Sequence, residues 1–299
     1  MTSAPALAPT GKLASLSLGA RLRACWTLYT LTLRQHFYGK RWLVVSLLFL
    51  LPAGLAILIR ATASDVPSKA MEFVLAFMFI PQALLPLVAL LYASGIIQDE
   101  QEEQTITYLL IRPISKWAIY LVKLLATCTT TVGLVAVFTA ITYATIYLGA
   151  EPQEESVVRR CLIAIAIQSL AVVAYCCLFG LMSLLVKRIL VVGIVYIAVV
   201  EGLLANFPFG IRLITVIYYT RMIAYRTLDF IIVSGPRNRS ENFAAEVWQL
   251  DIRNDPELLE HPQLATNIWV LLIASLVCTV LAAWLCTQRE FHVKTPEKA

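Results

Sequence analysis

Six apolar runs, each long enough to cross a bilayer, limit what this chain can fold into more than anything else in it. They occupy residues 42–59, 73–97, 119–148, 161–186, 189–207 and 268–286. A hydrocarbon core takes roughly 20 helical residues to cross. Hydrophobic residues make up 59% of the 299, charged residues only 14%, and mean hydropathy is +0.76. Soluble domains carry nearer ~25% charge, so lipid must be the solvent for most of this surface. Inside lipid every backbone N–H and C=O needs an internal partner, which leaves helices or a closed barrel. The runs are continuous and lack two-residue alternation, so they predict helices. The fold class expected is all-α integral membrane, with six transmembrane helices in a domain over residues 42–287.

Basic residues orient the spans, because cytoplasmic loops collect Lys and Arg. With the N-terminus inside, inner segments hold fourteen: Lys12, Arg21, Arg23, Arg34, Lys40, Arg41, Arg112, Lys116, Lys123, Lys187, Arg188, Arg289, Lys294 and Lys298. The two short outer loops hold four, Arg60, Lys69, Arg159 and Arg160. Six further arginines fall in one long loop, which the rule does not count. Both termini are therefore expected in the cytoplasm of a multi-pass cell-membrane protein. The net charge of +5 reads as topology, with no nucleic acid implied. Residues 1–19 lack the basic head and compact apolar run of a cleaved signal and read as a flexible cytoplasmic start. Residues 288–299 read as a cytoplasmic tail. The seven cysteines fall mostly within spans, with Cys176 and Cys177 adjacent. They read as small buried apolar residues.

Residues 20–41 follow a different pattern. At about 100° per residue, Arg23, Thr27, Thr30 and Arg34 form a polar stripe beside Leu22, Trp26, Tyr29, Leu33 and Phe37. That predicts a helix lying in the inner interface, Trp26 toward lipid and Arg23 and Arg34 reaching headgroups. In the second span Pro81 and Pro86 should kink the helix or open its hydrogen-bond ladder. In the third, Thr127, Thr129, Thr130 and Thr131 can bond back to their own helix or join neighbours. The connection at 208–266 is far longer than the ~15 residues beyond which loops usually carry structure or function. Its first part is apolar enough for short helices re-entering from the outer side, although Arg212, Arg221 and Arg226 interrupt any seventh crossing. It is also where an extracytoplasmic partner would bind. No internal repeat is visible, which counts against a self-sufficient secondary transporter built on inverted repeats.

Few residues suggest chemistry. Glu154, Glu155 and Arg159 have the spacing of intramembrane CAAX-type proteases, but that reaction needs histidines in the membrane. His36, His261 and His292 all fall outside the spans. No convergent metal ligands or phosphate-cradling loop is present, so neither catalytic residue, metal nor cofactor is expected in this chain. Glu201 stands out as a lone carboxylate within the fifth span. A charge there needs a partner helix, a wet cavity or a proton. It fits a substrate path or subunit interface, and equally a structural hydrogen bond to a threonine or backbone group.

Between the second and third spans the chain turns acidic at Asp99, Glu100, Glu102 and Glu103, then reaches Pro113, a basic residue and the next span. A short, helix-forming, charged connector of this kind suits a lever that docks on something soluble. It resembles the connector in permease subunits of the type-2 ABC exporters, whose pattern is an acidic stretch ending Glu-x-Gly-Thr, a Leu pair, a Pro–aliphatic–Ser–Arg turn and Gly-Lys. Glu102, Glu103, Thr105, Leu109, Leu110, Arg112, Pro113, Ile114, Ser115 and Lys123 stand at matching spacing. Gln104, Lys116 and Val122 replace the pattern's Gly, Arg and Gly. The resemblance implies an elbow helix at 20–41, a cytoplasmic coupling segment at 98–117 and a re-entrant segment before the last span. It also implies a second permease subunit, identical or related, and two soluble ABC ATPase subunits that hold the ATP and Mg. It further implies that Glu201 lies near the subunit seam, the fifth span standing beside the first and its counterpart across the dimer.

Overall fold

Helix α1, Leu18–Tyr38, ends at Gly39, whose extended backbone starts α2, Lys40–Thr62. Then come α3, Ser68–Ala93; α4, Lys116–Tyr147; α5, Val157–Leu185; and α6, Ile189–Asn206. A short helix α7, Val216–Thr227, precedes an antiparallel hairpin of β1, Ile231–Ser234, and β2, Arg239–Asn242. Helix α8, Leu264–Gln288, follows. The computed structural model describes residues 18–63, 66–96, 98, 115–148, 156–206, 210–228, 230–234, 239–242, 244, 247–248 and 263–288. The first seventeen residues and 289–299, expected as cytoplasmic start and tail, lie outside them.

Among the described residues, helices α2 to α6 and α8 are the six that are long and apolar enough to cross a membrane. The fold is helical with six such helices, as expected, and a single short hairpin accompanies them among the described residues. In the hairpin, Ile231 faces Asn242 and Ser234 faces Arg239; β-branched Ile231, Ile232 and Val233 favour the pleated form. Helix α7, with 12 residues, is about 18 Å long, too short for a ~30 Å core.

The core forms around α5, which packs on α3, α4, α7 and α8. Over their most apolar stretches α3 and α5 are 61% and 56% buried, against 28%, 22% and 17% for α2, α6 and α8. Small residues let helices meet closely where no hydrophobic effect drives them together. Ala164, Ala171, Ala174, Cys176 and Cys177 serve α5 this way, all buried, and every cysteine is free. At Gly180 a Cβ would lie 2.7 Å from the Tyr120 hydroxyl. At the other end Phe73 meets Phe230 and Trp248 at ring separations of 5.3 and 4.8 Å, which fastens the segment after α7 onto α3.

Proline shapes α3 as expected, and the form it takes is a π-helix over Phe73–Leu84. In π geometry the N–H of residue i bonds the carbonyl five residues back. Pro81 has no N–H, so the carbonyl of Ala76 loses its donor. Gln168, fully buried on α5, donates its Nε2 to that carbonyl at 2.9 Å. Thr139 of α4 in turn donates to Gln168 Oε1. The gap that proline opens in one helix is closed by two others, as hydrocarbon requires.

Candidate functional site

Most of the predicted coupling residues, Asp99, Glu100, Glu102, Glu103, Thr105, Arg112 and Pro113, lie outside the described residues. What the structure describes is how the chain is held on either side of them. Before the connector, Gln98 donates its Nε2 to the carbonyls of Val186 (2.9 Å) and Lys187 (3.3 Å), just past the end of α5. After it, Ser115 is the N-cap of α4 and Lys116 its first residue. The Cys286 thiol of α8 lies 3.6 Å from the Lys116 carbonyl. Lys123, 4% exposed, joins the two sides by donating Nζ to the Ile96 carbonyl at 3.0 Å.

Glu201 is fully buried inside the protomer. It lies on a second π stretch, Ile197–Leu203. Its Oε1 accepts from the Tyr196 hydroxyl (3.2 Å) and the Val216 N–H (3.1 Å), and its Oε2 from the Ile217 N–H (3.2 Å). Those two amides open α7 and have no partner within the helix. The carboxylate therefore caps α7 and meets the positive end of its dipole. Thr215, the N-cap residue, accepts from the Tyr218 N–H at 3.3 Å. On α7, Arg221 donates to Asn206 Oδ1 at 3.0 Å and Gln82 Oε1 at 3.4 Å. Burial pulls the Arg221 guanidinium below its ordinary pKa, which Tyr175 and Glu201 oppose. Of the two roles open in the sequence, the geometry displays the hydrogen-bonded one.

A second buried carboxylate escaped the sequence reading. Glu72 of α3 accepts from Arg160 Nε on α5, at 3.2 and 3.0 Å to its two oxygens, and from the Tyr143 (2.8 Å) and Tyr147 hydroxyls of α4. The Phe230 ring lies 5.7 Å from the guanidinium carbon. Arg160, expected in an outer loop, instead begins the buried part of α5 at 1% exposure. Two tyrosines four residues apart on one face of a helix were the available signal. Arg60, also counted in an outer loop, turns back to bond the Ile146 carbonyl (Nε, 3.1 Å) and Ser68 Oγ (2.8 Å).

Helix α1 lies on α4 rather than apart from the bundle. Leu28 and Thr32 are buried, the Tyr29 hydroxyl donates to Thr129 Oγ1 at 3.1 Å, and His36 Nδ1 lies 3.1 Å from Thr130 Oγ1. On the packed side Thr32 donates to the Leu28 carbonyl and His36 meets Thr130. Arg23 and Arg34 stay exposed, as do Trp26 and Leu22 at 67% and 63%.

A model of the ABC-2 family transporter proteins matches residues 39–218, more than half of the chain. The chain belongs to that family. No curated protein matches it. The ABC-2 match takes in α2 to α6 and ends at Tyr218, in the first turn of α7 that Glu201 caps. This ABC-2 protein is a multi-pass permease component of an ABC transporter.

Proposed function

We propose that this ABC-2 permease is the transmembrane subunit of an ATP-driven exporter. It works as one of two such subunits, beside two soluble ATPase subunits that hold ATP and Mg. Residues 98–117 are its coupling segment, taking up the movement of the ATPases as nucleotide binds and leaves. Both termini are cytoplasmic, α1 is an elbow helix in the inner interface, and 208–266 faces outward toward any extracytoplasmic partner. The open apolar faces of α2 and α6, with Leu47, Leu51, Val191 and Val195 exposed, suit a second permease subunit. The observation that carries this reading is the anchoring on both sides of the connector. Through Gln98, Lys123 and Cys286, force on the connector reaches α3, α4, α5 and α8.

Co-purification of the tagged permease with a soluble ATPase from its native membrane tests the partnership. Reversing charge at Glu102→Lys and Glu103→Lys tests the docking. The double variant should insert normally yet lose the ATPase, or keep it with hydrolysis no longer tied to transport. Unchanged assembly and unchanged coupling would remove the docking role.

A further inference from the structure

Three arginines are buried among the described residues, Arg160, Arg212 and Arg221. Arg160 meets Glu72, and Arg221 meets Asn206 and Gln82. For Arg212 the neighbour is a ring. It is 5% exposed, its Nε is buried without a hydrogen-bond partner among the described residues, and its guanidinium carbon lies 5.3 Å from the centre of the Tyr218 ring. The Tyr218 hydroxyl is buried and equally unmet. Stacking on an aromatic face attracts a cation, but it satisfies none of the N–H donors along the guanidinium edge. Buried polar atoms are paired in the great majority of cases, so two unmet donors on one stacked pair point to an acceptor that joins them.

The local fold holds that pair in place. Arg212 sits in a 3₁₀ turn, Gly210–Ile214, between α6 and α7. Thr215 donates its hydroxyl to the Arg212 carbonyl at 2.7 Å and accepts from the Tyr218 N–H at 3.3 Å, so one side chain ties both backbones. The turn is the reverse of one built for water. Ile211, Leu213 and Ile214 are exposed, at 47%, 40% and 74%, while the arginine is turned in. Helix α6 has 18 residues, about 27 Å of rise, so a helix that enters a ~30 Å core at one edge ends close to the other. The turn that follows lies where hydrocarbon gives way to headgroups. Glu201, the nearest carboxylate in the sequence, is already engaged by Tyr196 and two α7 amides. An acceptor that arrives with an apolar tail finds side chains for both its parts, and the guanidinium fork matches phosphate oxygens two at a time.

We propose that Arg212 and Tyr218 bind the phosphate of an anionic phospholipid, whose acyl chains lie along Ile211, Leu213 and Ile214. Arg212 donates from its guanidinium edge, Tyr218 donates its hydroxyl, and Thr215 keeps the two in register. The lipid steadies the turn from which α7 starts. The site requires no ATPase partner.

The full-length chain, purified in neutral detergent, is incubated with dioleoyl phosphatidylglycerol or dioleoyl phosphatidylcholine, and retained lipid is read by native mass spectrometry. Phosphatidylglycerol should be retained in preference to phosphatidylcholine. Arg212→Gln should weaken that retention roughly fivefold, the effect of one cation near a headgroup. Tyr218→Phe keeps the ring beneath the guanidinium and removes only an unmet hydroxyl. It should weaken retention while leaving the unfolding temperature of the lipid-free chain unchanged or higher. That variant decides the matter even if Arg212→Gln fails to fold. In a parallel arm, inorganic phosphate or glycerol 3-phosphate is added to lipid-free chain. Stabilisation by these soluble probes, lost in Tyr218→Phe, would make a free phosphate ester the ligand of the same site; stabilisation by phosphatidylglycerol alone would make it the lipid. Equal retention of both lipids with no stabilisation by soluble phosphate overturns the proposal. So does phosphatidylglycerol retention that Tyr218→Phe leaves unaltered. A lipid-free Tyr218→Phe chain that unfolds at lower temperature would show the hydroxyl to be met within the protein, and overturns it as well.

Discussion

Two carboxylates inside the protomer solve the same difficulty in different ways. Glu72 is matched by a guanidinium and two phenols, whereas Glu201 is matched by a phenol and two backbone amides. Removing one partner of a buried ion pair costs about 3–5 kcal/mol, while replacing both with apolar residues is often neutral. Arg160→Met and Glu72→Leu should therefore each lower the unfolding temperature in detergent strongly, and the double variant should recover much of the loss. A double-mutant cycle without coupling would count against the pair. At Glu201 the amides set the expectation. Glu201→Gln keeps an acceptor and should leave α7 intact; Glu201→Leu leaves the Val216 and Ile217 amides unmet, for a cap loss of about 0.5–2 kcal/mol. Hydrogen exchange at the first turn of α7 should quicken in the leucine variant alone, and equal exchange in both would show that charge, not capping, matters. Glu201 was legible as a residue needing a partner, because a charge in an apolar run announces itself. The two amides it caps were not, since they lie 15 and 16 residues further on and are backbone groups that carry no sequence signature. Glu72 stayed hidden because it adjoins a loop, where a carboxylate reads as solvated.

For single elements, the prolines of α3 announced an opened ladder, but which carbonyl lost its donor depended on the π register. That register is a property of the packed helix rather than of its composition. Gln168→Leu should leave the Ala76 carbonyl unpaired, a loss of about 1–3 kcal/mol. Pro81→Ala restores an N–H opposite that carbonyl, so adding it to Gln168→Leu should recover part of the loss in thermal unfolding. Additive losses would exclude the pairing. Helix α1 shows the same limit. Its periodicity marked a helix with a polar stripe, but its seating on α4 depends on Thr129 and Thr130, about a hundred positions away. The hairpin escaped notice because two four-residue strands are too short for alternation to register against a polar loop.

Across the whole molecule, the six spans were plain in the sequence because hydropathy sums over some twenty residues and tolerates local error. The orientation expected from fourteen inner basic residues against four puts Asn238, which lies outside the described residues, in the external segment. In a cysteine-free background, Asn238→Cys should react with a membrane-impermeant thiol reagent on intact cells, and reaction only after lysis would invert the topology. The bond from Gln168 to Ala76 also bears on how such a machine can move. Sliding α3 along α5 would strip a carbonyl of its donor where no water can replace it, at a cost of several kcal/mol. Thr139 ties α4 into the same knot. These three helices are therefore expected to move as one body rather than slide past one another. The missing hydrogen on one proline nitrogen thus ends up riveting three helices together.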